Sequence, residues 1–315
     1  MDMCNGPILK KLLIFALPLM LSGILQLLFN AADIVVVGKF TGSHALAAVG
    51  STSALINLFV NVFIGFSIGT NVLVAQYFGA RDEKNVQETV HTSILLGIVG
   101  GFILIVSGII FAKPMLEWMD TPDNVLEHAV LYMRIYFIGM PAMLIYNFGA
   151  AILRAIGDTK RPLYYLLSAG VINVVLNLFF VIVLNMGVAG VAAATVASQV
   201  VSAILIVRCL IQSEGIYRLN LHKLKFHKKK LIRIVQIGLP AGLQGAVFSL
   251  SNVLIQSSVN SFGSVAMAGY TAANNIFGFL YAAANSVTQA CMSFTSQNYG
   301  IGKLERMDKV LINCM

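Results

Sequence analysis

Eight apolar stretches, near residues 11–38, 45–78, 89–112, 129–153, 162–185, 187–211, 231–260 and 265–299, are each long enough to cross a hydrocarbon layer of about 30 Å. Lipid offers no hydrogen-bond partners, so each stretch must satisfy its own backbone, and a helix does so within one segment. The expected fold is an all-α polytopic membrane protein. Composition agrees: charged residues make up 11% of the chain and hydrophobic ones 58%, where soluble domains are about 25% charged. The first stretch is too long for a signal peptide and lacks a small-residue cleavage site, so it counts as the first helix.

The connectors orient the bundle. Of the 21 Lys and Arg residues, 18 fall at the N-terminus or in every second connector, including eight between Arg208 and Arg233. The opposite side receives only Lys39, Lys113 and Arg134. By the positive-inside rule the N-terminus is cytoplasmic, and the chain is expected to be a multi-pass protein of the cell membrane. The formal charge of +8 is thus an orientation signal, and the basic run from Lys223 to Arg233 reads as a linker near anionic headgroups, with no nucleic acid required. Cys4, Cys209, Cys291 and Cys314 form no CxxC pair or ligand cluster.

The chain repeats itself. Pro18 matches Pro240 and Asn30 matches Asn252 at an offset of 222; after a one-residue gap, Gly42 matches Gly263, Ala47 matches Ala268, Gln76 matches Gln297 and Gly79 matches Gly300 at 221. Spans 1 and 2 recur as spans 7 and 8. Six helices return a chain to its starting side, so the repeat is parallel, as in several secondary transporters. The expected divisions are an N-terminal lobe over 1–212, a basic linker over 213–230 and the start of a second lobe over 231–315. Two copies of about 220 residues imply a whole of about 440, so a chain ending at Met315 reads as truncated just after a third helix begins.

Asp33 is the one acid among thirteen that lies inside a long apolar stretch. A carboxylate at a transmembrane helix centre costs about 2.5–3.5 kcal/mol on the insertion scale, so it marks a candidate site. Ser22, Gln26, Asn30 and Asp33 follow at steps of four, four and three and share one helix face, which must look into protein or a water-filled cavity. The bland alternative is a carboxyl bonded to neighbouring helices. Span 7 has Ile255 in place of Asp33 while keeping Ser249, Asn252, Gln256 and Asn260, so the acid belongs to one lobe only.

Ala16-Leu-Pro18, Ala32-Asp33-Ile-Val-Val-Val-Gly38, Gln76-Tyr-Phe-Gly79, Leu153-Arg154-Ala-Ile-Gly-Asp158-Thr-Lys-Arg-Pro162 and Gly187-Val-Ala-Gly190 occur in order at span ends. With these motifs the chain resembles the multidrug and toxic compound extrusion (MATE) family over its whole length. The resemblance implies twelve helices in two lobes, alternating access, and export driven by inward flow of protons or sodium. It joins Asp33 to Asn173, Asn177 and Thr195 in one hydrogen-bonded cluster, with Asn177 standing where the family commonly has Asp. Asp33 is then the only formal anion of the site. Sodium would want the oxygens of all four residues, whereas a proton needs the one carboxylate, and the proton is the favoured reading. The resemblance also suggests that Pro18 helps span 1 bend when the site changes charge. Neighbours often satisfy the carbonyl that such a proline frees, which makes mere tolerance the stronger reading.

Amide and aromatic side chains suit bulky organic cations by stacking and cation–π contact, which makes Asn57, Asn61, Tyr146, Asn252, Gln256, Asn274 and Asn275 candidates for a substrate cavity. They suit ordinary helix packing equally well. The expected function is a secondary antiporter of bulky, often cationic organic compounds, acting as a monomer in membrane lipid. No cofactor is implied beyond the coupling ion, and no metal beyond sodium at that site. The alternative is a lipid-linked oligosaccharide flippase of a related helix-bundle fold, which would want cavity-facing cations that the spans do not supply. No Walker motif is present, and one lone intramembrane acid does not make an enzyme. Rings of like charge, as a channel would have, are not evident.

Overall fold

Helices account for nearly all of the described chain. The structure is a computed structural model that describes residues 1–119, 121–260 and 264–315, with the side chains of several residues near the ends of the second, eighth and ninth helices left undescribed. In chain order the helices are α1 (Ile8–Phe40), α2 (Ser43–Gly79), α3 (Glu83–Trp118), α4 (Asp123–Ile138), α5 (Met140–Ala155), α6 (Lys160–Leu178), α7 (Gly187–Gln212), α8 (Lys228–Asn260), α9 (Ser264–Gly300) and α10 (Leu304–Cys314). Among the described residues there is no strand.

Six of these helices are long and apolar enough to span a membrane, and the pair α4 and α5 makes a seventh. The sequence reading placed one unbroken helix over 129–153. In the structure that span is broken at Gly139 and bent by 47°. Pro141, in the first turn of α5, lacks the N–H that would continue the ladder, and its ring excludes the carbonyl four residues back. The eighth expected span is present as the 37-residue α9. It falls short on apolarity because it carries Asn274, Asn285, Gln289, Ser293 and Gln297, side chains that need protein partners. Two have them: Ser293 Oγ donates to Asn71 Oδ1 at 3.0 Å and Gln297 Nε2 to the Ala155 carbonyl at 2.6 Å.

The lobes meet along two related seams. In the first, Gly65 and Gly69 of α2 face Gly238 and Gly242 of α8, each so close to the opposite backbone that a Cβ would overlap it. Two glycines four residues apart on each helix bring backbones together without a hydrophobic driving force, as helix association in lipid requires. The second seam joins α1 to α9. It is built from Ala16, Leu19 and Ala290, with Phe15 edge-on to Phe294 at 5.7 Å.

The N-terminus and the basic connectors lie on one face. The terminal ammonium of Met1 donates to the Gly157 carbonyl at 3.4 Å, Lys303 Nζ to the Cys4 carbonyl at 3.0 Å and Arg306 to the Gly6 carbonyl at 2.8 Å. The basic linker is held against this face. Asn220 N–H donates to His91 Nε2 at 3.1 Å and His227 N–H to Thr92 Oγ1 at 3.2 Å. Lys230, from the basic run, is buried with its ammonium 4.0 Å from the Tyr77 ring centre and donates to Asn85. That lysine is part of the protein packing, whereas from sequence the whole run reads as a linker near the headgroups.

Candidate functional site

Asp33 sits near the end of α1 furthest from the N-terminus, where α1 packs against α6. The approach is set one turn earlier: Gly170 of α6 lies under the ring of Phe29, and a Cβ at that position would overlap the ring. Both helices run away from the N-terminal face and come into polar contact beyond this point. There Asn177 Nδ2 donates to the Asp33 carboxylate.

The same amide donates to Asn173 Oδ1 at 3.3 Å, and Asn173 Nδ2 donates to Thr195 Oγ1 on α7 at 3.4 Å. Thr195 in turn donates to the Val191 carbonyl at 3.0 Å. Asp33, Asn177, Asn173 and Thr195 thus form one chain of hydrogen bonds across three helices. Asn173 and Asn177 are 5% and 1% exposed, so the chain is closed to lipid. Directly after Asn177 the helix widens into a π-turn over Phe179–Val183, with Leu184 N–H donating to the Phe179 carbonyl at 3.1 Å. Such turns concentrate at functional sites, and hydropathy carries no signal for them.

No lysine, arginine or histidine lies within 4 Å of Asp33 among the described residues. Asn177 Oδ1 is buried without a hydrogen-bond partner. An ionised carboxylate in a span costs about 2.5–3.5 kcal/mol, and one hydrogen bond to a charged group returns about 1.5–3. The bond from Asn177 thus offsets most of the cost of holding the carboxylate in the span. An orphaned acceptor costs a further 1–3 kcal/mol, roughly, which a bound cation or proton donor would relieve.

Three residues near this site carry no signal of it in the sequence. Tyr132 and Tyr136 of α4, stacked at 5.9 Å, lie within electrostatic range of Asp33. Their spacing of four marks a shared face, but nothing in the sequence says that this face comes within range of Asp33. Gln199, one turn along α7 from Thr195, has its Oε1 buried without a partner beside Gly139.

The remaining candidates are dispersed. Ser22 bonds back to the Pro18 carbonyl at 2.8 Å, and α1 continues as a helix through Pro18. Gln26 and Asn30 are exposed. Asn61 Nδ2 donates to Ser249 Oγ across the α2–α8 seam at 2.9 Å, and one turn beyond it the exposed Asn57 and Asn252 share register. Asn274 is exposed on α9. Tyr146 is engaged inside the first lobe, donating to the Pro162 carbonyl at 3.0 Å, which does not place it with the amides of the seam. The side chains of Gln256 and Asn275 are among those left undescribed.

Residues 18–179 and 240–315 match the MatE family model. The chain belongs to the MatE family. It is 31% identical to the probable multidrug resistance protein YoeA of Bacillus subtilis, covering 96% of this chain and 67% of that protein. It is 30% identical to YpnP, a probable multidrug resistance protein of the same organism, over 97% and 68%. Among solved structures it resembles an outward-facing multidrug resistance MATE transporter, with a TM-score of 0.92 at 24% identity over 99% of this chain and 69% of that one. A MATE crystal structure in a bent conformation matches at 0.89 and 25%, over 97% and 68%. The chain therefore spans about two thirds of these relatives and carries the MATE fold, a fold of membrane transporters and not of enzymes.

Proposed function

We propose that the chain belongs to a secondary antiporter that exports bulky, often cationic organic compounds, and that Asp33, Asn177, Asn173 and Thr195 form its coupling-ion site. The observation that carries this reading is a half-buried carboxylate held by a single amide, with no cationic partner and an unfilled acceptor oxygen beside it. A structural ion pair would have a partner.

Binding an ion at Asp33 removes its charge and weakens the charge-assisted bond from Asn177. That loosens α1 from α6. Because α1 also packs on α9, with Gly23 against Ala282, the change is felt in the second lobe. In this reading the N-terminal face is cytoplasmic and the ion arrives from outside. Asp33 is the one formal anion available to the ion, which favours a proton. The buried Asn177 oxygen offers sodium a further ligand and is the specific feature on the other side.

Asp33→Asn tests the site because it keeps shape and removes both charge and proton exchange. Efflux of a fluorescent organic cation should fall to background in cells that still insert the protein at normal levels. Normal efflux from the variant overturns the assignment, and loss of protein in step with efflux would make Asp33 a structural residue.

A further inference from the structure

Helices α5 and α7 diverge on the lipid-facing surface of the first lobe and leave a groove of about 520 Å³. Its α7 wall is the stripe Val200, Ala203, Ile204, Val207 and Ile211, at the spacing of one helix face, and Ala142 and Ile145 of α5 form the other wall. From Val200 to Gln212 the stripe rises about 18 Å, close to half of a hydrocarbon layer of about 30 Å. The groove is therefore one leaflet long.

It ends in positive charge. Arg208 and Gln212 close it where α7 reaches the basic face. Arg218, from the linker, is pinned beside that end, its Nε donating to the carbonyl of the groove residue Ile211 at 3.2 Å. Both arginines are exposed, and neither has a carboxylate within 4 Å among the described residues. Glu214, the acid nearest in sequence, pairs with neither.

We propose that this groove is a binding site for an acidic phospholipid. One acyl chain lies along the α7 stripe, and the phosphate meets Arg208, with Arg218 beside it. A guanidinium binds phosphate through two parallel hydrogen bonds, and a glycerophospholipid joins a phosphate to an apolar chain of about this length. A cationic compound in transit would be repelled from the same mouth. A zwitterionic lipid would fill the walls and leave the arginines without net countercharge. The site is independent of the Asp33 reading and of which leaflet the basic face adjoins.

The test uses the full chain in vesicles. Trp118, the single tryptophan, is changed by Trp118→Phe, and a reporter is placed beside the groove by Leu205→Trp, a partly exposed position of α7 outside the groove lining. Quenching is then measured with brominated-chain phosphatidylglycerol or phosphatidylcholine at graded mole fractions. The acidic lipid should bind about five- to thirtyfold more strongly than the zwitterionic one, as expected for one or two arginines near the surface. The preference should fall to about one in Arg208→Gln with Arg218→Gln and survive in Arg208→Lys, which retains the charge. Equal quenching by both lipids in the parent protein, or a preference that persists in the double variant, overturns the proposal.

Discussion

Gly79 and Gly300, at the same ends of α2 and α9, pack reciprocally: Gly79 lies against the Gln297 carbonyl and Gly300 against the Gln76 carbonyl. Gln76 matches Gln297 and Gly79 matches Gly300 in the internal repeat, so the contact lies on the axis that relates the two lobes. The lobes touch here backbone to backbone, and a side chain at either glycine would force them apart.

Gly79→Leu should therefore keep the lobes open on the N-terminal face. Overpacking of this kind costs about 1–3 kcal/mol, enough to shift a balance between open and closed forms without unfolding either lobe. Cys4 reports on the change. Its thiol lies 3.8 Å from Gln297 Oε1, and burial, aided by the nearby Asp2 charge, pushes its pKa up and slows its reaction. A membrane-impermeant maleimide applied from the basic face should label Cys4 faster in Gly79→Leu than in the parent, and efflux should be lost. Unchanged labelling would mean that the glycines do not govern closure.

Asn177→Asp would place a second carboxylate against Asp33. Two like charges that close hold a shared proton more tightly, so a proton-coupled exporter should move its efflux optimum to higher pH. A sodium-coupled one should instead depend more steeply on sodium. Efflux measured against pH and against sodium in both proteins separates the two. If neither dependence changes, α6 is not part of the ion site.

Orientation is open to direct measurement. Reporters fused after Arg81, Thr159 and Lys225 should read cytoplasmic, and those after Thr41 and Thr121 external, because 18 of 21 basic residues lie on the first side. Two reporters on the wrong side would reverse the assignment.

Asp82 caps α3, its carboxylate accepting from Asn85 N–H at 3.1 Å, and the hydrogen bonds from the Asn85 side chain and backbone hold its pKa below the usual carboxylate range. Asp82→Ala should cost about 1 kcal/mol. The sign with pH follows from the lowered folded value. The cap contributes fully above the ordinary carboxylate pKa of about 4 and loses its contribution as the pH falls through the lower folded value. Thermal unfolding in detergent should show a gap between wild type and variant at pH 7 that closes in acid. A gap that persists at pH 2 would assign it to packing.

The spans, the repeat and the solitary acid were legible because each is a local property. Whether a segment prefers lipid depends on its own side chains, and a carboxylate within it stands out wherever the segment packs. The fourfold spacings of Asn173 with Asn177 and of Tyr132 with Tyr136 were equally readable as helix faces. What those faces meet was not. That Asn177 and not Asn173 touches Asp33 follows from the axial register of α1 on α6, and that register depends on Gly170 admitting Phe29.

Tertiary structure alone decided the rest. The bend at Gly139 breaks the fourth span, although hydropathy runs smoothly across it. The reciprocal glycine contact needs both lobes in place, and the groove ending at Arg208 exists only because α5 and α7 diverge there. Periodicity in a helix says which residues share a side. Small residues, a proline and the close approach of two backbones say which sides meet, and those are pairwise facts that no single segment contains.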